Sequence, residues 1–310
     1  MVPDTVTSFE DFCLWTYVLI DDCWQRLAPL DRRPGPAPVC SDPELITMAL
    51  IGECKGWHEE TVLLSEWAQH RELFPHQPTR TRFNRRRRHL AGAINAVRRL
   101  LLAALDLAHD RQWVLDSLPI PVIRFHLVPK AAKAYWQTYD AAFGKVPSKS
   151  VTIFGYKLYL LVTQAGVILD FVLAPANVME LPVGADLLAD HTDLLVRGDK
   201  AFLSGPRQAE LLADNRLRLQ TLPRSNQRTQ VSPAQVRTFN AARQVIETVN
   251  SQLAEQFGIE VNHAQSFWGL TARLITKLTA HTLCISLNRL RGAATVLQIK
   301  PFAFPAPNSN

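Results

Sequence analysis

Apolar side chains recur at helical spacing over residues 8–28, at Phe9, Phe12, Thr16, Ile20, Cys23 and Leu27, and predict an amphipathic helix. The Pro/Gly-rich piece at 34–38 interrupts that pattern and reads as a linker. Ser41-Asp42-Pro43-Glu44 then opens a second helix, because Ser and Glu three apart form a capping box and proline suits the first turn. A short helix is expected over 58–69, and a long one follows Pro78 towards Asp110. Three helices with tight joints, the last laden with arginine, have the look of a helix-turn-helix module.

From residue 113 the apolar runs become short and β-prone. Residues 113–122 predict a buried strand that stops near Pro119, since proline cannot donate to a ladder. Residues 123–152 look irregular, a basic flap in which Arg124, Lys130, Lys133, Lys145 and Lys149 are interleaved with aromatics. Strands are then expected over 154–162 and 167–173, antiparallel across Gly166. A helix over 180–190, a strand ending in Gly198-Asp199, a helix over 206–214 and a strand over 217–222 follow. Val236, Phe239, Ala242, Ile246, Val249 and Leu253 form the buried stripe of a long helix over 234–257. A last helix over 267–291 reads as packing or dimer surface. The order β–β–β–α–β–α–β plus a long helix predicts an α/β fold. Its expected form is an RNase H-like mixed five-stranded sheet with flanking helices, preceded by an all-helical domain. The boundaries expected are 1–110 for the helical domain, 111–260 for the sheet domain and 261–310 for a C-terminal helix and tail.

Charge adds what periodicity omits. The net charge of +6 over 310 residues is modest but unevenly spread. Residues 1–79 hold five basic and thirteen acidic side chains, whereas residues 80–99 hold eight arginines and no acid, a distribution that points to a localised polyanion contact. Four of those arginines are consecutive and span a whole helical turn, so they cannot all face one core. Arg80, Arg82, Arg85, Arg86, Arg87 and Arg88 have no nearby acid along the helix, and DNA phosphates are their expected counter-charge. Cys13, Cys23, Cys40, Cys54 and Cys284 lack paired spacing and read as free thiols of a reducing compartment. The apolar run near the N-terminus has no basic leader, and no stretch reaches membrane-spanning length, so a cytoplasmic protein is expected.

Three acids carry the candidate chemistry. Asp116 sits inside the first strand, where a carboxylate must be paired or on a metal because a lone buried charge is costly. Asp199 ends the fourth strand, and Glu247 lies one step off the buried stripe of the long helix. Strand ends and element termini converge at the functional crevice of an open sheet. Three hard oxygen ligands without His or Cys select Mg2+, with Mn2+ as substitute, and two such ions suit phosphodiester chemistry. Between Asp214 and Glu247 there is no acid, while Arg216, Arg218, Arg224, Arg228, Arg237 and Arg243 offer a path for a phosphate backbone. Asp170 is a weaker rival ligand, and Ser117 lacks the elbow motif of a nucleophile.

The motifs Asp116-Ser117-Leu118-Pro119, Phe154-Gly155-Tyr156-Lys157, Pro175-Ala176-Asn177, Gly198-Asp199-Lys200-Ala201-Phe202 and Arg243-x3-Glu247-Thr248 together resemble the bacterial DDE transposases. The nearest likeness is to the insertion sequence 982 family, whose Ser-x-x-Glu helix start and Arg-Phe-Asn-Arg-Arg segment match Ser41 to Glu44 and residues 82–86. The resemblance covers about residues 40–291. It implies an RNase H-like catalytic domain, two Mg2+ ions, the triad Asp116, Asp199 and Glu247, DNA contacts at Lys157, Lys200 and Arg243, and a homodimer acting on element ends and target DNA. It also implies a cut exposing a 3′-hydroxyl that attacks target DNA. Related transposases often carry Tyr three before the arginine and Lys seven after the glutamate; here Asn240 and Ala254 stand there. Where the family tends to have Asp after the Pro-Ala-Asn turn, this chain has Met179-Glu180. The alternatives are a decayed or domesticated DNA-binding protein, or a metal-dependent nuclease without strand transfer.

Overall fold

Ser8 and Ser41 each start a helix with a reciprocal cap: the serine hydroxyl accepts the N–H of Asp11 or Glu44, whose carboxylate accepts the serine N–H. The computed structural model describes residues 6, 8–28, 35–107, 109–128, 133–146, 150–199, 202, 205–223 and 231–303. Helices come first: α1 (Phe9–Leu27), α2 (Asp42–Cys54), α3 (Glu60–Trp67), α4 (Arg80–His89) and α5 (Ala91–Ala104). Next are β1 (Gln112–Ile123), α6 (Lys133–Gln137), β2 (Ala142–Val146), β3 (Val151–Thr163), β4 (Ile168–Pro175) and α7 (Glu180–Leu188). The chain continues through β5 (Leu195–Gly198), α8 (Gly205–Asn215), β6 (Arg218–Gln220), α9 (Pro233–Glu255) and α10 (Phe267–Leu290). No helix among the described residues is long and apolar enough to cross a membrane.

Chain contacts divide the molecule into a helical unit (Met1–Asp106, Gln252–Ile259 and His263–Asn310) and a sheet unit (Leu107–Ser251 and Glu260–Asn262). The C-terminal helix, expected to stand apart from residue 261, therefore belongs with the N-terminal helices. It is buried on almost every side, polar positions included, so it is an interior helix and offers no broad face as a dimer surface. Its Lys277 donates to Glu53 Oε2 at 2.6 Å, and His58 Nδ1 lies 2.8 Å from the same oxygen. Glu60 takes the guanidinium groups of both Arg87 and Arg273. Burial alone would lift the Glu53 carboxyl, but Lys277, His58 and Arg87 more than offset it and hold it at about 2. The helix expected after Pro78 is two helices, α4 and α5, which meet at Leu90. All five cysteines are free thiols, with Cys54 Sγ and Cys284 Sγ 3.5 Å apart in the core.

The sheet unit is a mixed six-stranded sheet in which β1 lies between antiparallel β3 and parallel β5. The long β3 pairs on its other edge with β2 along its first residues and with β4 along the rest. Thus the stretch expected as an irregular flap contributes a sixth strand. β1 runs on to Ile123, well beyond Pro119. Pairing with β5 ends at Leu115, so Pro119 and Pro121 lie where β1 has only β3 as a neighbour, and an absent N–H costs no ladder bond on the open edge. Near the end of that pairing Gly155 has φ 154°, and a Cβ there would meet the Ile120 carbonyl oxygen at 2.3 Å. One apolar cluster, including Leu115, Leu161, Leu188, Val196, Phe202 and Leu219, fixes the level of β1 against β5.

Candidate active site

The register between β1 and β5 decides where the acids stand. Leu115 pairs with Gly198 in the last position of the parallel ladder. The next residues along the chain are Asp116 and Asp199, just past the last paired position, and the Asp199 charge acts on the Asp116 carboxyl. Neighbouring strands lie about 4.8 Å apart. Gly198 lets the Phe202 ring approach, a Cβ there lying 3.1 Å from Phe202 Cδ2, and the Phe202 N–H donates to the Asp199 carbonyl at 3.0 Å. This hydrogen bond and the fully buried Phe202 ring fix the Asp199 backbone where it leaves the strand.

Helix α9 supplies the rest. Phe239, Ala242, Ile246, Val249 and Leu253 form its buried stripe as the spacing predicts, while Val236 at its start is only half-buried. Arg243, Glu247 and Asn250 are four and three residues apart, on one face. Arg243 Nη1 lies 3.5 Å from Asp199 Oδ1 and its Nη2 3.6 Å from Glu247 Oε1. Asn250 donates to Asp116 Oδ2 at 2.9 Å, while its own Oδ1 is buried with no partner among the described residues. Burial pushes the Asp116 carboxyl up to about 6; the Ser117 N–H, Arg243 and Asn250 work against that rise, and Asp199 adds to it. Arg243 is therefore the shared counter-charge of this acidic group. Among the described residues no three His, Cys, Asp or Glu side chains stand close enough to hold one metal ion. The expected three-carboxylate cage is thus not closed: Glu247 is largely exposed and leans on Arg243.

Other expected site residues fall differently. Asp170 accepts the Phe171 N–H within β4 and takes no part in the acidic group. Lys157 donates to Glu180 at 2.6 Å, so the glutamate that departs from the family pattern neutralises it instead of leaving it open to DNA. Lys200, Arg224, Arg228, Lys130 and Lys149 lie outside the described residues. Arg216 is engaged by Asp193 through both of its bonds. On α4 the arginines split. Arg80, Arg82, Arg85 and Arg88 are exposed. Arg87 is buried and bonded to Glu60, and Arg86 reaches the Cys40 carbonyl and Asp42. The expectation that all six face DNA is corrected for these two, because their acidic partners come from distant parts of the chain. Helical phase puts Asn250 on the face of Arg243 and Glu247, but the sequence gives it no role; its bond to Asp116 comes from the fold.

Comparison with protein families matches residues 114–283, more than half of the chain, to the Transposase DDE domain. No curated protein and no solved structure matches the chain at a significant level.

Proposed function

Since the chain belongs to the Transposase DDE domain family, we propose that it is the transposase of a bacterial insertion sequence, of the insertion sequence 982 type. It cuts DNA at the element's ends and joins the freed 3′-hydroxyl to target DNA. The observation that carries this reading is the register that continues from Leu115 and Gly198 into Asp116 and Asp199. A divalent ion near these two acids would offset both the burial that lifts Asp116 to about 6 and the repulsion from Asp199. The donors fit a divalent ion in kind, being hard oxygens, and the orphaned Asn250 Oδ1 adds another. Asp116, Asp199 and Glu247 are the proposed catalytic residues and ligands of two Mg2+ ions, with Mn2+ as substitute. The bound ions would supply Lewis-acid polarisation of a phosphodiester and activation of the attacking oxygen.

The chain's own groups do the rest. Asn250 and the Ser117 N–H hold the Asp116 carboxylate in one orientation. The Phe202 N–H, bonded to the Asp199 carbonyl, holds the Asp199 backbone. Arg243 restrains the mutual repulsion of the acids and, being one-third exposed, turns its remaining N–H groups to an incoming phosphate. Arg80, Arg82, Arg85 and Arg88 contact the DNA backbone, and the protein works as a homodimer. The test is Asp199→Ala incubated with element-end DNA in Mg2+: nicking should vanish while binding persists, and undiminished nicking removes the triad. Supplying pre-cut 3′-hydroxyl ends separates strand transfer from simple cleavage.

A further inference from the structure

Every cysteine of the chain belongs to the helical unit, and the sheet unit has none. Two of them meet: Cys54 Sγ lies 3.5 Å from Cys284 Sγ, across 230 positions of sequence. Among the described residues Cys13, Cys23 and Cys40 have no second sulfur in contact. Cys54 is the last residue of α2 and Cys284 lies inside α10, so the sulfurs touch where the front of the chain packs on its end. A disulfide holds its sulfurs about 2.0 Å apart, so about 1.5 Å of approach separates this contact from a bond. That distance is small against the sweep of a thiol turning about χ1.

Access sets the pace. Both thiols are fully buried, and burial lifts the Cys54 thiol well above its ordinary value, so it carries almost no thiolate in the closed core. Uncovering Cys54 means lifting the last turn of α2, which its neighbour Glu53 fastens through Lys277 and His58. Reaction therefore follows that local opening, and the pair rests as thiols in a reducing compartment.

We propose that Cys54 and Cys284 form a redox modification site, joined into a disulfide by a hydroperoxide and parted again by a small thiol. One cysteine, as its thiolate, attacks a peroxide oxygen; the O–O bond breaks, and a sulfenic acid forms as an alcohol, or water from hydrogen peroxide, departs. The second thiolate attacks that sulfur, the S–O bond breaks, and the hydroxide leaves as water with the released proton. Two thiols lose two protons and two electrons, and one hydroperoxide is reduced. A partner already at 3.5 Å intercepts the sulfenic acid before more peroxide carries it to sulfinic acid. The bond ties α2 to α10 and closes a loop that contains the whole sheet unit, so the helical unit cannot shed its central helix. No cysteine stands at the acidic group, so this site is judged apart from the catalytic reading.

The experiment treats the full chain with hydrogen peroxide well below its melting temperature, blocks remaining thiols with N-ethylmaleimide and maps the unreduced peptides by mass spectrometry. The expected product joins the peptides of Cys54 and Cys284, two hydrogens lighter than their sum, and dithiothreitol parts them. Its formation should raise the melting temperature by about 5–10 °C, reversibly. In Cys284→Ala the joined peptide and the shift should vanish together. The inference is overturned if both cysteines are recovered as blocked thiols, if both reach sulfinic acid unjoined, or if either pairs with Cys13, Cys23 or Cys40. A joined peptide without a rise in melting temperature overturns the lock. All these outcomes are read on wild type, so they hold even where the variant fails to fold.

Discussion

Asn250 donates its side-chain amide to Asp116 Oδ2 at 2.9 Å, joining α9 to β1 at the acidic group. Groups that orient a ligand side chain typically contribute about 10- to 100-fold in metal affinity or activity. Asn250→Leu should therefore weaken Mn2+ binding and slow cleavage by that order, with the fold intact by circular dichroism. Asn250→Gln should recover part of the loss only if its longer amide still reaches Asp116. Cleavage by Asn250→Leu at the wild-type rate would show the contact to be incidental.

The raised Asp116 carboxyl makes a signed statement about stability. Its folded value is about 6 against an ordinary 3.8. The group therefore binds its proton more tightly in the folded state. Its contribution is complete below about pH 3.8 and is lost as pH rises through 6. Above pH 6, without metal, the ionised carboxylate costs about 1–2 kcal/mol, after discounting for its partial exposure. Asp116→Asn should thus raise the melting temperature at pH 8 in chelator, and the gain should close towards pH 4. A pH-independent difference would remove ionisation as its cause.

Glu53 works in the opposite direction. Its carboxyl is held at about 2 against 4.5, so the stability it confers is present above pH 4.5 and is lost as pH falls towards 2. Lys277→Met leaves that carboxylate without its main partner in the core. A loss of about 3–5 kcal/mol is expected by calorimetry, and Glu53→Gln/Lys277→Met should regain much of it. A single variant as stable as wild type would mean that His58 and Arg87 suffice.

Gly184 packs against both acid-bearing segments. A Cβ there would meet Phe202 Cε1 at 2.7 Å and Leu115 Cδ2 at 2.8 Å. Overpacking of this kind costs about 1–3 kcal/mol. Gly184→Ala should lower stability by that amount and cleavage by more, because the Phe202 N–H bonds the Asp199 carbonyl and Leu115 precedes Asp116. Equal loss in both would make the effect one of folding alone.

What the sequence revealed was local. A β-prone run around Asp116, the Gly198-Asp199 strand end and the 3.6 spacing of α9 each report neighbours a few residues away, and all three elements stand where expected. What escaped it depended on distant partners. β1 passes Pro119 because β5 ends at Leu115, a fact held by residues some eighty positions on. Arg87 looked free because Glu60 lies 27 residues back, and Lys157 looked free because Glu180 lies 23 residues ahead. Counting charges along a helix sees neither. Asn250 carries no charge and announced itself only by helical phase.

The helical unit takes its central rod, α10, from the far end of the polypeptide, between α2 and α5. During synthesis the first helices emerge long before their filler, while every strand of the sheet is already available. A nascent or prematurely terminated chain would expose the greasy sides of α2 and α5 to chaperones and proteases.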